Sequence, residues 1–159
     1  MTQILREIHR LLSRHGLTLA VAESCTGGLL SEALTRLPGS SAYFLLGVVA
    51  YSNQAKQEIL GTPAKTLGRY GAVSAPIARS MAEKARKKGR CDIGIGITGI
   101  AGPSGGTPAK PVGTVFIALK TADRLLCKRF CFSGSRSGIR RQTVIAALKL
   151  LLQQLPKTP

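Results

Sequence analysis

The chain is poor in acid. Its 159 residues hold seven Asp and Glu against twenty-three Lys and Arg, a formal net charge of +16. Two-carboxylate chemistry and a carboxylate cage for Mg²⁺ are therefore hard to assemble. Histidine is scarcer: His9 and His15 are the only two, and both fit a surface helix far from any cysteine pair. Neither a zinc cluster nor a Ser–His–Asp triad is expected. Tryptophan is absent and aromatics make up 4%, poor equipment for stacking bases. The four cysteines, Cys25, Cys91, Cys127 and Cys131, form no CxxC. Cys127 and Cys131 share a strand face but sit too far apart along it to pair. All four read as reduced thiols, the last three as small core hydrophobes. No apolar run approaches the ~20 residues of a membrane span. The amphipathic start, MTQILREIHRLL, lacks the apolar core of a secretory signal. A single domain over 1–159 is expected, without metal or other cofactor, off the membrane and in the cytoplasm.

The excess of cations attracts anions: nucleic acid, acidic membrane or phosphorylated small molecules. No long block holds the charge. One cluster, Lys84, Arg86, Lys87, Lys88 and Arg90, closes a predicted helix, where cations suit the helix dipole. A solvated basic face explains that cluster, and no sequence-specific nucleic acid partner is expected.

Periodicity divides the chain into alternating elements. Residues 2–15 read as a helix with Ile4, Leu5, Ile8, Leu11 and Leu12 on one stripe. Residues 17–23 read as a buried strand and 25–36 as a helix stopped by Pro38-Gly39. YFLLGVVAY, 43–51, is too apolar for one exposed face and reads as a central strand. Helices are predicted over about 53–60, 75–89 and 137–155, and CDIGIGIT, 91–98, reads as a second central strand. TVFIALK and RLLCKRFCFS form a hairpin around Thr121-Ala122-Asp123. The pattern predicts an α/β fold, a three-layer α/β/α sandwich on a mixed, mostly parallel sheet of about five strands. Ligands of open α/β sheets bind beyond the carboxyl ends of the strands. That rule gathers Glu23–Gly28, Tyr51–Lys56 and Thr98–Lys110.

Each segment has a plain and a chemical reading. Ser24 follows a strand and precedes a helix, so its hydroxyl suits an N-cap. The same turn suits a nucleophile, with the N–H groups of Cys25, Thr26 and Gly27 placed for an oxyanion. Lys56 reads as a surface lysine, or, if Asn53 caps the next helix, as a cation in a first turn that opposes it. Burial and that dipole lower a lysine pKa, and a neutral amine can take a serine proton. Tyr51 at the strand end could position that proton. TGIAGPSGGTPAKPVG, 98–113, is too long for an idle loop. Its backbone N–H groups could cradle a phosphate, although it is neither a Walker sequence nor a GxGxxG in frame.

AESCTGG, GVVAYSNQAKQEILG, YGAVS, TGIAGPSGGTPAKPVGTV and IRRQTVIAAL together resemble the C-terminal domain of the CinA (competence/damage-inducible) family, in its stand-alone form as a nicotinamide-nucleotide amidase. The resemblance covers essentially the whole chain. It implies a three-layer α/β/α fold and hydrolysis of nicotinamide mononucleotide to nicotinate mononucleotide and ammonia. It further implies Ser24 as nucleophile, Lys56 as base and Tyr51 as its helper. Substrate contacts are expected at Cys25, Thr26, Gly27, Thr98, Gly99, Gly102, Gly105 and Arg140, with Arg136 competing for the phosphate. The expected partners are a phosphorylated small molecule and further copies of the chain. The nucleotide-pyrophosphatase-like domain of full-length members is not expected here. Two positions depart from the family pattern: Ser135 stands where GDRxxIR has an acid, and Lys84 where MAxGAR has glycine. A nucleotide- or nucleic-acid-binding module without catalysis, or a Ser–Lys amidase on another carboxamide, are the alternatives.

Overall fold

The computed structural model describes residues 1–156. The chain runs α1 (Thr2–His15), β1 (Leu19–Glu23), α2 (Leu29–Thr35), β2 (Phe44–Val49), α3 (Asn53–Glu58), α4 (Ala64–Tyr70), α5 (Ala75–Gly89), β3 (Ile93–Gly99), β4 (Thr114–Lys120), β5 (Leu125–Cys131) and α6 (Arg136–Gln154). The sheet order is β2-β1-β3-β4-β5. β1 pairs parallel with β2 and β3, while β4 runs antiparallel to both β3 and β5. Four strands thus point one way, and the expected three-layer α/β class holds.

The two sheet faces are covered differently. Against one face, α1, α2 and α6 bury Leu5, Ile8, Leu12, Leu30, Leu148 and Leu151. Each such burial contributes about 1.5–3 kcal/mol before entropy is counted. α1 stops at Gly16, whose left-handed φ of 60° lets its N–H reach the Leu12 and Ser13 carbonyls. Against the other face lies α5, with Ile77, Ala78, Met81, Ala82 and Ala85 turned inward. β3 carries glycine where α5 crosses it. A Cβ on Gly94 would lie 2.0 Å from the Ala82 carbonyl, and one on Gly96 2.3 Å from that of Ala78. The missing side chains allow helix and strand backbones to touch.

Several sequence expectations are corrected. β2 is an edge strand, not a central one, and its residues alternate between half-buried and exposed. α2 begins at Leu29, four residues late, because the chain turns at Gly27 (φ 58°) and Gly28 (φ 96°) first. Ser52, not Asn53, caps α3 by accepting from the Ala55 N–H at 2.9 Å. α3 is so short that Lys56 belongs to its last turn as much as its first, which removes the dipole argument. α4 has no counterpart in the sequence reading. Of the cysteines, Cys25 and Cys91 are buried, Cys127 is half-buried and Cys131 is exposed, so the last is no core residue. All four are free thiols. Ser135 caps α6 by accepting from the Gly138 N–H at 3.2 Å. Serine and aspartate serve equally well there, so this departure keeps the helix start intact.

Candidate active site

The ends of β1, β2 and β3 meet around a cavity of about 200 Å³. Ser24, Cys25, Tyr51, Asn53, Lys56, Ala72, Val73, Thr98, Gly99, Ala101 and Arg136 line it. All three predicted segments contribute, and the connection between α4 and α5 and the start of α6 add two more.

Ser24 is 8% exposed. It does not cap α2, whose N-cap is Gly28. Its hydroxyl instead meets Lys56, whose Nζ donates to Ser24 Oγ at 3.1 Å and to the Ala50 carbonyl at 3.0 Å. The turn after Ser24 closes with Gly27 N–H donating to the Ser24 carbonyl at 3.0 Å. Among the described residues, no backbone carbonyl takes the N–H of Cys25 or Thr26. N–H groups in the turn after a serine are the kind of donor a developing oxyanion requires.

Lys56 is 2% exposed, and no carboxylate lies within ion-pair distance of it among the described residues. Burial drives its ammonium below the ordinary lysine value. Neutral, it can give one N–H to Ala50 and take the Ser24 proton on its lone pair. Desolvation, not a helix dipole, thus lowers the lysine.

Cys25 is buried beside Ser24, and burial pushes its thiol up to about 12. A thiol held protonated is a poor nucleophile at neutral pH. Cys25→Ala should therefore keep activity within a few-fold of the parent, read as kcat/KM. A loss as deep as that of Ser24→Ala would move the nucleophile to the sulfur.

The remaining predicted residues divide. Tyr51 is 57% exposed, and its hydroxyl accepts from Arg136 rather than meeting Lys56. Thr98 is buried and donates to the Ala72 carbonyl at 2.8 Å, tying β3 to the segment before α5. Gly99 lines the cavity, and a Cβ there would lie 2.7 Å from Val115 Cγ2. Gly102 offers its carbonyl to Arg136 Nη1 at 2.7 Å. Gly105 is exposed in the loop and does not line the cavity. Thr26 is buried, and its carbonyl accepts from Arg140 Nη2 at 2.7 Å. A Cβ on Gly27 would lie 3.0 Å from that same Nη2. Arg140 thus stands against the turn after Ser24, while Arg136 lines the cavity.

Sequence reasoning named Arg136 only as a competitor. The available signal was its place directly after a capping serine, where a cation opposes the helix dipole. Ala72 and Val73, also at the cavity, lie within the YGAVS motif, but nothing in their residue types marks them as site residues. The Glu23 carboxylate, directly before Ser24, accepts from the N–H groups of Gly28, Leu30 and Ser31 and from Ser31 Oγ, at 2.7–3.2 Å.

The chain is similar to known proteins over nearly its whole length. The family model described as CinA C-terminal domain matches residues 1–155. A CinA-like protein of Geobacter sulfurreducens is 50% identical over 150 residues, covering 93% of this chain and 36% of the relative. The chain spans about a third of the length of the curated relatives it matches. Among solved structures, competence damage-inducible protein A from Klebsiella pneumoniae superposes with a TM-score of 0.92 at 35% identity, covering 96% of this chain and 94% of that one. Competence/damage inducible protein CihA from Agrobacterium tumefaciens gives 0.90 at 40% identity, covering 95% and 96%.

Proposed function

The chain belongs to the CinA C-terminal domain family, and from that premise and the cavity's geometry we propose that it is a Ser–Lys amidohydrolase acting on the carboxamide of nicotinamide mononucleotide. One observation carries the reading: an almost fully buried lysine, without a carboxylate partner among the described residues, with its amine 3.1 Å from a serine hydroxyl at the strand ends.

The chemistry follows from these atoms. Neutral Lys56 takes the Ser24 proton as Oγ attacks the carboxamide carbon. The N–H groups of Cys25 and Thr26 hold the oxyanion. Lys56 returns the proton to the departing nitrogen, ammonia leaves and an acyl-serine remains. Lys56 then deprotonates a water, which attacks the ester carbon; the acyl–Oγ bond breaks, Lys56 returns that proton to Ser24 Oγ, and nicotinate mononucleotide leaves. General-base help of ~10²–10⁴-fold and an oxyanion term of ~10²–10³-fold make such a route competent with protein groups alone. In this reading the pyridine ring enters the cavity of about 200 Å³ and the sugar phosphate stays outside it. Arg136 and the loop over 99–107 are the proposed phosphate contacts there, supported by the net charge of +16. Tyr51 joins this group through its bond to Arg136.

The test is ammonia release from nicotinamide mononucleotide beside nicotinamide riboside, free nicotinamide and unrelated carboxamides. The mononucleotide should turn over fastest, and Ser24→Ala should abolish turnover. Preference for another carboxamide would keep the Ser–Lys chemistry and replace the substrate. No ammonia from any amide would overturn the amidase reading.

A further inference from the structure

We propose that Glu23 is the positioning residue of the nucleophile turn, fastening the chain beyond Ser24 through its carboxylate and tying that turn to the base through its carbonyl. The inference rests on the Ser–Lys reading above and adds to it what holds the pair in place.

Glu23 ends β1, directly before Ser24, and is fully buried. It is the only Asp or Glu buried among the described residues. A lone buried carboxylate is costly unless its lone pairs are met. Here they are. Oε2 accepts from Gly28 N–H at 3.2 Å and Leu30 N–H at 3.0 Å. Oε1 accepts from Ser31 N–H at 2.8 Å and Ser31 Oγ at 2.7 Å. All four donors lie five to eight residues downstream, so the bonds draw the intervening turn, Ser24 included, into one shape.

The backbone of the same residue points to the base. Ala50 N–H donates to the Glu23 carbonyl at 2.8 Å. The Ala50 carbonyl in turn accepts from Lys56 Nζ, which also reaches Ser24 Oγ. Glu23, Ala50, Lys56 and Ser24 therefore form a closed ring of bonds. Nucleophile and base share one anchor, and neither can drift without breaking it.

The carboxylate also stays out of the acid–base chemistry. It makes no ion pair with Lys56 among the described residues. Both its oxygens are occupied by donors at the start of α2, and burial is what lowers the lysine. An ordinary cap at Gly28 would satisfy the helix start equally well. Supplying the cap from the residue beside the nucleophile links that helix to the site.

The experiment compares wild type with Glu23→Gln at equal folded fraction. A glutamine keeps the shape but turns an NH₂ toward at least one backbone N–H, so at least one of these bonds must part. The readout is the rate at which a small fluorophosphonate labels Ser24, with Oγ displacing fluoride, followed by intact mass across pH. Placement errors near 1 Å cost about 10²-fold, so Glu23→Gln should label about that much more slowly. Its ascending pH limb should stay where the wild type has it. An unchanged labelling rate in folded Glu23→Gln overturns the proposal. A displaced or vanished limb also overturns it, since Glu23 would then take part in proton transfer. Should Glu23→Gln fail to fold, Ser31→Ala removes one donor outside the cavity and should slow labelling several-fold; no change there overturns the proposal as well. The two readings fail separately. Glu23-dependent labelling without turnover of any carboxamide sinks the amidase reading alone. Wild type that does not label at Ser24 sinks both.

Discussion

Lys56→Arg is expected to lower kcat/KM by about 10²–10⁴-fold, the range that a positioned general base supplies. A guanidinium cannot be deprotonated at working pH and cannot take the Ser24 proton. Lys56→Met should be as inactive, because it keeps the stem and deletes the amine. The two variants separate charge from proton transfer: if positive charge alone mattered, arginine would rescue and methionine would not. In wild type the ascending limb of kcat/KM should lie well below the ~10.4 of a free lysine, in the direction that burial drives it. The sign for stability is set by the same displacement. Between the buried value and the ordinary one, the unfolded chain holds a proton that the folded chain has lost, so stability rises with pH across that window. Lys56→Met should erase this rise and match or exceed wild type in Tm at neutral pH. Near-normal turnover by Lys56→Arg, with the same limb, would make Lys56 a bystander. Glu23 is then no replacement, since both its oxygens are already occupied.

The second large effect lies in the fold. Gly96→Val should leave little folded protein, read by circular dichroism and by recovery in the soluble fraction. The position has ordinary extended backbone, so space decides. A Cβ there would sit 2.3 Å from the Ala78 carbonyl and 2.4 Å from the Ala82 N–H nitrogen, both backbone atoms of α5. Neither can rotate away, and relief requires lifting the helix from the sheet. Overpacking a core ordinarily costs about 1–3 kcal/mol, and two further methyl groups against a fixed backbone belong at or beyond its top. Against a total stability of about 5–15 kcal/mol this is a large fraction. Gly134→Ala is the matching control for space, because nothing lies within 4 Å of its Cβ; its φ of 111° leaves only a local strain. A Gly96→Val protein with wild-type Tm would mean that α5 does not pack as described.

The layers and the site were readable in the sequence to different depths. Helix and strand periods are local, and α1, α5, α6 and β3 lie where the apolar spacing puts them. Ser24 and Lys56 could be paired in advance because the chain offers few titratable groups at its strand ends and the sheet rule brings those ends together. Strand order is not local. FLLGVV reads as buried on both faces, yet nothing pairs with its far side, and no residue within β2 encodes that absence. α2 starts late because Glu23, five residues before Gly28, captures the N–H groups that an earlier helix would have used. α4 was missed because Gly68 stands inside a seven-residue helix and dilutes its signal. Arg136 and Arg140 are four residues apart on one helix, and only the fold decides which reaches the cavity and which the turn behind it.

The Lys56 amine is carried by the helix that follows an edge strand. β2 is paired on one side only, and Leu45 and Val49 stand 47% and 45% exposed along it. Segments with one-sided pairing and little burial open before the core does. Excursions that peel β2 from β1 would break the Ala50–Glu23 bond and carry α3 away from Ser24 while β1, β3, β4 and α5 remain assembled. The working state is therefore a subset of the folded state. On warming, its population is governed by the weakest cooperative unit of the molecule, and competence is lost ahead of the global transition.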